Sequence, residues 1–397
     1  MHFCNTITSK MNIDLIRKET AGCSDKLFLN SAGGSLMPEI VVNAMIDYIK
    51  QEEQFGAYEV MSRNLEAVNQ FYEETARLLN GKPSNIAFTT SATDAYAKAL
   101  SSIPFQERDC IITTVDDYIS NQIAFISLQK RLNIEVIRMK NLLDHEIDLE
   151  DLEVLVKKHH PKLIAVTHIP TNSGLIQNVE GVGAICTKYD ILYLVDACQS
   201  VGQLKIDVQK IGCDFLTATG RKFLRGPRGT GFLYVSDKAL NRNLAPLFLD
   251  MRGAGWTEFD DYEIFQTARR FEHWEISYSS LRGLTEAVKY ANTIGTDCIE
   301  NYNKKLAQTL RSGLQSTGYK VLDEGKWLGS IITFCDKNNQ IESIQNMLTE
   351  NKIYYSISNK SSALIDFTHK NVTAAIRLSP HYFNTMEEID AVISIVS

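Results

Sequence analysis

The reading turns on Thr217-Ala-Thr-Gly-Arg-Lys222-Phe-Leu-Arg-Gly-Pro-Arg-Gly-Thr-Gly-Phe-Leu-Tyr-Val235. Lys222 sits between two short apolar runs, Phe215–Leu216 and Phe232–Val235. Thr217, Thr219 and Gly220 precede it, and three glycines with a proline follow. A lysine on a loop between two buried strands loses solvation, and a desolvated amine has a lowered pKa and becomes nucleophilic. The surrounding Thr, Gly and Arg residues suit an anion. The bland alternative is a solvated lysine on a hairpin, so the rest of the chain has to decide.

Moving outward, apolar runs at Ile86–Phe88, Cys110–Ile112, Ile134–Ile137, Leu163–Val166 and Ile191–Val195 join the two beside Lys222. They predict seven buried strands. Helical stretches Ala92–Leu100, Ser120–Leu132, Leu149–Lys158 and Val179–Lys188 alternate with them, which implies an α/β fold with a seven-stranded, mostly parallel sheet covered on both faces. Ligands of such sheets bind at the carboxyl ends of strands. Polar residues gather there: Thr89-Thr90-Ser91, Thr113-Thr114, Thr167-His168, Asp196 and Thr217-Ala218-Thr219.

Residues 1–26 read as a polar N-terminal arm and 27–283 as the large domain. Leu27–Gly34 is a short strand entering a glycine turn, and the periodicity of 38–80 fits two helices. After Gly283 a long amphipathic segment runs to about Gly313. Short strands at Ser330–Phe334, Ile353–Ser356 and Ala375–Leu378 and a closing helix at Met386–Val396 then predict a smaller C-terminal α+β domain, 284–397.

The chain has 397 residues and a formal net charge of −7. That mildly acidic balance, without basic clusters, argues against nucleic acid or an anionic membrane as partner. Eight scattered cysteines with no CxxC pair read as reduced core residues rather than a disulfide framework or zinc site. No apolar run reaches the roughly 18 residues of a membrane span, and Met-His-Phe-Cys-Asn lacks the pattern of a secretory signal. The expected location is the cytoplasm.

Three features carry chemistry. Asp196 closes Ile191-Leu192-Tyr193-Leu194-Val195, and a carboxylate there calls for a cationic partner. The protonated ring nitrogen of pyridoxal phosphate is one such partner. Ser91-Ala92-Thr93-Asp94-Ala95 opens a helix after a strand, a natural anion site. Lys222 follows Asp196 by 26 residues. Singly, the aspartate reads as a helix cap and the Ser/Thr start as an N-cap. Together they suit a Schiff-base cofactor enzyme.

Phe88–Ala95, His168–Gly174, Val195-Asp196-Ala197-Cys198-Gln199, Thr219–Gly231 and Ile376–Asp390 resemble the class V aminotransferase-fold group, PLP fold type I. That group includes cysteine desulfurases, selenocysteine lyases, C–S lyases and isopenicillin N epimerases. The resemblance implies pyridoxal 5'-phosphate as cofactor, carried on Lys222, with Asp196 at its ring nitrogen and Tyr118 stacked on its ring. It implies Gln199 and Asn172 at the phenolate oxygen or the substrate, and Ala92, Thr93, Thr219 and Arg221 at the phosphate. Arg377, with Asn30 or Ala32 nearby, would hold a small amino-acid substrate by its carboxylate. No metal is implied. A cytoplasmic homodimer is expected by the same resemblance.

Departures from the group's pattern narrow the activity. Tyr118 takes the place of the usual stacking histidine, and Arg221 stands where many desulfurases have histidine. Tyr355–Thr373, where a desulfurase carries its nucleophilic cysteine, has none, and Cys335 falls in a predicted strand. Phe271-Glu272-His273-Trp274-Glu275 replaces a Gly-Thr pair that relatives present across the dimer. His273 or Trp274 would shape the partner's pocket, with core packing the alternative for Trp274. The glycine-rich Lys222 stretch most resembles the C–S lyase branch, which includes hercynylcysteine sulfoxide lyases. The expected reaction is therefore β-elimination of a cysteine S-conjugate or its sulfoxide, giving pyruvate and ammonia, with Tyr118 as acid. Aminotransferase or epimerase action is the next alternative and cysteine desulfurase the third. A non-catalytic member of the fold is a different class, against which Lys222 and Asp196 argue.

Overall fold

The computed structural model describes residues 11–397. The first ten residues of the expected arm, including Cys4 and the segment read for a signal, lie outside the described residues. Seven strands form the main sheet: β1 (Ile86–Thr89), β2 (Cys110–Thr113), β3 (Glu135–Arg138), β4 (Leu163–Thr167), β5 (Leu192–Asp196), β6 (Phe215–Thr219) and β7 (Gly231–Val235). Their order is β1-β7-β6-β5-β4-β2-β3. Only β7 runs against its neighbours, while the pairs from β6 through β3 are parallel.

Helices α1 (Ala92–Ser101), α2 (Ile119–Leu132), α3 (Leu149–His159) and α4 (Val179–Tyr189) follow β1 to β4 in turn. Short polar side chains start three of them: Ser91, Asp148 and Asn178 accept backbone N–H groups of the first turn. Left-handed Asn133, His160 and Asp190 end α2, α3 and α4.

Alternate strand residues enter opposite cores because side chains on a strand change face at every step. Ile112, Ile164, Val195, Leu216 and Phe232 pack on one side of the sheet. Ile111, Leu163, Leu194, Phe215 and Leu233 pack on the other. Both faces are apolar, so the strands read as unbroken apolar runs instead of alternating ones.

The smaller unit differs from expectation in three places. The expected amphipathic segment is two helices, Tyr278–Ile294 and Thr296–Ser316, parted at Gly295, whose φ of 92° breaks the helix, and the first packs in the large core through Leu281, Leu284 and Val288. Its sheet has four antiparallel strands, β8 (Lys320–Val321), β9 (Ile332–Cys335), β10 (Ser356–Asn359) and β11 (Ala374–Leu378), in the order β8-β9-β11-β10. Ile353–Tyr354 leaves that sheet and pairs in parallel with Leu27–Phe28. Leu29 accordingly packs in the small core with Leu306, Phe334, Ile376 and Val392. Residues from about 27 therefore serve the small unit as well as the large one.

A hairpin at Ala254–Glu258 and Asp261–Ile264 gives no burial signal, because Trp256 is 80% and Phe259 94% exposed. Among the described residues no helix is long and apolar enough to cross a membrane, and Cys23, Cys110, Cys186, Cys198, Cys213 and Cys335 are free thiols.

Candidate active site

The candidate site lies at the carboxyl ends of β1, β4, β5 and β6, where a polar pocket collects Ser91, Ala92, Thr93, Tyr118, Thr171, Asp196, Gln199, Thr219, Arg221 and Lys222. Adjacent parallel strands stop at Thr167, Asp196 and Thr219, so the chain must turn there and its turns converge.

Lys222 sits on the loop from β6 to the reversed β7. Gly220 N–H donates to Thr230 O (3.0 Å) and Gly226 N–H to Gly220 O (2.7 Å), which folds the loop back on itself. A Cβ on Gly220 would lie 2.3 Å from Thr230 Oγ1, so only glycine closes this turn. Lys222 is buried, and burial lowers its amine pKa. Cys198 and Asp196 oppose that shift, while Arg221 and Arg377 add to it. The lysine is a desolvated amine rather than a surface residue.

Asp196 ends β5, 4% exposed. Its Oδ1 accepts Cys198 N–H (2.9 Å) and its Oδ2 accepts the Asn121 side-chain amide (3.0 Å). The same amide donates to Asp117 Oδ1 (3.0 Å), so Asn121 joins two buried carboxylates. Thr167 Oγ1 and Gln122 Nε2 also donate to Asp117. Burial pushes the Asp117 carboxyl up, and these hydrogen bonds work against it. Asp117 in turn accepts the N–H of Tyr118 (2.7 Å), fixing the residue that begins α2. The Lys222 Nζ lies 5.9 Å from the Tyr118 ring centroid, across the pocket.

The anion end is α1. Ser91 Oγ accepts Asp94 N–H, and Ala92 and Thr93 bring the first free N–H groups of the helix to the pocket beside Thr219 and Arg221. A Cβ at Gly231 would meet Ala218 O at 2.6 Å and Ser91 C at 2.8 Å, so this glycine lets β7 lie against the helix start.

Gln199 donates to Ala32 O (3.2 Å) and Thr171 Oγ1 (3.3 Å), which leaves its buried Oε1 without a partner. Arg377, on β11, donates through Nη1 to Thr171 O (3.2 Å), and its buried Nε is unpartnered. Burial, with Arg221, lowers its guanidinium to about 10. Asn30 bridges to Ser379, two residues beyond Arg377, and its Oδ1 too has no partner; Ala32 N–H donates to Ser379 Oγ.

Asn172 is placed elsewhere. Its amide donates to Asp366, and it lines a separate apolar cavity between α2 and 361–366. Thr171, one residue earlier, faces the pocket instead. Nothing periodic in the loop marks which of the two turns inward. His273 is exposed and Trp274 is 36% exposed, so the indole is not a core residue; Phe271 and Glu272 are the buried members, and Glu272 accepts from Tyr72, Phe88 N–H and Arg252. Thr167 was named only among the polar strand ends, and Asn121 and Asp117 were given no role from the sequence. The four-residue step from Asp117 to Asn121 at a helix start was the available signal.

The pocket fits pyridoxal phosphate on its own chemistry. It offers a desolvated amine, a buried carboxylate, a helix N-terminus with hydroxyls and an arginine, and an orphaned amide oxygen. Arg221 lines the pocket beside the start of α1, which favours an anionic ligand at that end.

A family model described as "Aminotransferase class-V" matches residues 27–392. The chain is 28% identical over 387 residues to a probable cysteine desulfurase of Methanothermobacter thermautotrophicus, covering 96% of each. In fold it is similar to a cysteine desulfurase from Thermococcus onnurineus, with TM-score 0.88, 23% identity, and 97% of this chain and 98% of the other covered. It is likewise similar to the cystine C–S lyase C-DES in complex with its product cysteine persulfide, with TM-score 0.83, 19% identity, and 94% and 98% covered.

Proposed function

The chain belongs to the aminotransferase class-V family, and from that premise we propose that it is a pyridoxal-phosphate-dependent carbon–sulfur lyase. It splits a cysteine S-conjugate or its sulfoxide into pyruvate, ammonia and a sulfur product. The observation that carries the cofactor is the meeting of buried Lys222 and buried Asp196 in one pocket that ends at the start of α1. When bound, the cofactor supplies an electron sink for the substrate's α-carbon.

The chain's own residues do the rest. Lys222, its charge disfavoured by burial, takes a proton at neutral pH. Asp196, held by Asn121 and the Cys198 N–H, would pair with the cofactor's ring nitrogen. Ala92 and Thr93 N–H groups, Thr219 and Arg221 hold the phosphate, and Gln199 offers its free Oε1 to a donor. Arg377, with Asn30 and Ala32 beside it, binds the substrate carboxylate. Tyr118 stacks over the site and gives its phenolic proton to the departing sulfur.

A desulfurase reading is favoured by the names of the relatives. Against it, residues 355–373 contain no cysteine, and the thiol lining the pocket, Cys198, is half-buried with its pKa pushed well above the usual range by desolvation and Asp196. Such a thiol stays protonated, and persulfide transfer needs a thiolate. A dimer working in the cytoplasm is part of the reading, supported by the exposed Trp256, Phe259 and Tyr262 of the hairpin.

The test offers the purified protein cystine, S-alkylcysteines and their sulfoxides without a keto acid. Stoichiometric pyruvate and ammonia are expected. Alanine with sulfane sulfur would instead establish a desulfurase, and turnover only with added keto acid an aminotransferase. Lys222→Ala should abolish both turnover and the visible absorbance band.

A further inference from the structure

The edge of the main sheet opposite the candidate active site carries a second cluster of chemically competent side chains. Cys110 is the first residue of β2, Glu135 the first of β3, and the parallel register sets them side by side. His159, the last residue of α3, comes over the same edge before His160 turns left-handed (φ 45°) and ends the helix. One ligand atom from each of the three, a sulfur, a carboxylate oxygen and a ring nitrogen, lies within 4.8 Å of the other two.

We propose that Cys110, Glu135 and His159 bind a divalent transition-metal ion of the zinc class, leaving its fourth position to solvent. The separation of Glu135 Oε2 from His159 Nδ1 is 3.3 Å. Two ligands about 2.0–2.1 Å from one tetrahedral ion are about 3.3 Å apart, and a thiolate at about 2.3 Å completes the set. A mixed sulfur, nitrogen and oxygen donor set selects zinc-like ions over magnesium or calcium. Access also suits an ion arriving from solvent. The Glu135 side chain is 62% and that of His159 21% exposed, while Cys110 is 3% exposed and forms the floor. The neighbouring Asp109 is engaged by Lys162 at 2.9 Å, which leaves Glu135 as the carboxylate for the ion. Thiolate is the binding form of a cysteine ligand, so occupancy displaces one proton. The ligands are separated by 25 and 24 residues with no paired spacing, so the sequence alone gives no metal signature. An ion here would tie the edge strand β3 to α3 and act on stability, away from the reaction pocket.

The test uses the chelator-stripped holoenzyme, titrated with zinc or cobalt(II). One equivalent per chain is expected, with a rise in melting temperature that saturates at that ratio and release of a proton into weakly buffered solution. Cobalt should give tetrahedral visible bands at longer wavelength than the cofactor's. Cys110→Ser, His159→Gln and Glu135→Gln should each weaken binding by about tenfold or more. If Cys110→Ser does not fold, the two exposed positions decide. Absence of stoichiometric binding, or unchanged affinity and spectrum in the variants, would overturn the assignment.

Discussion

Removing the guanidinium of Arg377 isolates substrate binding from cofactor chemistry. Arg377 is 6% exposed, gives one N–H to Thr171 O and keeps an unpartnered Nε. A substrate carboxylate seated on this fork gains two charge-assisted hydrogen bonds, each worth about 1.5–3 kcal/mol. Arg377→Ala removes both and leaves that carboxylate desolvated, a cost of about 3–5 kcal/mol. At about 1.4 kcal/mol per decade, kcat/KM should fall between about 150-fold and a few thousandfold. Arg377→Lys, which keeps a point charge but loses the fork, should lose about 10- to 150-fold. The assay is pyruvate release against substrate concentration, with the cofactor's visible band recorded on the same samples. KM should rise while the band is unchanged, since Arg377 does not line the cofactor pocket. A variant whose kcat/KM stays within about threefold of the parent, or whose band disappears, would refute the assignment.

Gly231→Ala should push the start of α1 off β7 and weaken pyridoxal phosphate binding about 5- to 150-fold, the equivalent of 1–3 kcal/mol of overpacking; cofactor titration of the stripped protein checks this. His168 is buried, with its pKa lowered to about 4. Its folded form resists a proton that the unfolded chain accepts below about 6.5, so it removes stability as pH falls between those values, up to about 3 kcal/mol. Urea midpoints at pH 7 and 4.5 should therefore differ less in His168→Gln than in the parent, and an equal difference would contradict this. Arg225 is fully buried, donates to Leu36 O and Thr20 Oγ1, and lies 4.9 Å from both the Tyr382 and Phe383 rings. Arg225→Met should lower stability by about 3 kcal/mol or more, read as a fall in melting temperature; an unchanged value would rule the network out as a source of stability.

The large sheet was legible because strands buried on both faces must be apolar throughout, and helices between them repeat every three to four residues. The seven runs around Lys222 carry both signals, and the seven strands fall on them. Strand ends were legible for the same reason, so Lys222, Asp196, Thr219, Ala92 and Thr93 could be named as candidates and do line one pocket. Loops were not. Asn172 and Thr171 are adjacent, both polar, and the turn that sends one inward depends on contacts with Asp366 and Gln199 far along the chain. Asn121 escaped notice because its value lies in joining Asp117 to Asp196, 75 residues away. The exposed hairpin had no hydrophobic periodicity tied to a core, because its aromatic residues face outward.

The parallel ribbon of Leu27–Phe28 with Ile353–Tyr354 has a consequence for how the protein is made. At a synthesis speed of roughly 5–20 residues per second, the early strand emerges from the ribosome about 16–65 seconds before its mate, some 325 residues later, exists at all. Once Val235 has been made the main sheet has every partner it needs, whereas the start of the chain has none until residue 353 and must be kept from sticking elsewhere. Messages truncated between codons 235 and 353 should accordingly yield chains that are folded in the middle and adhesive at the front, a natural substrate for chaperones.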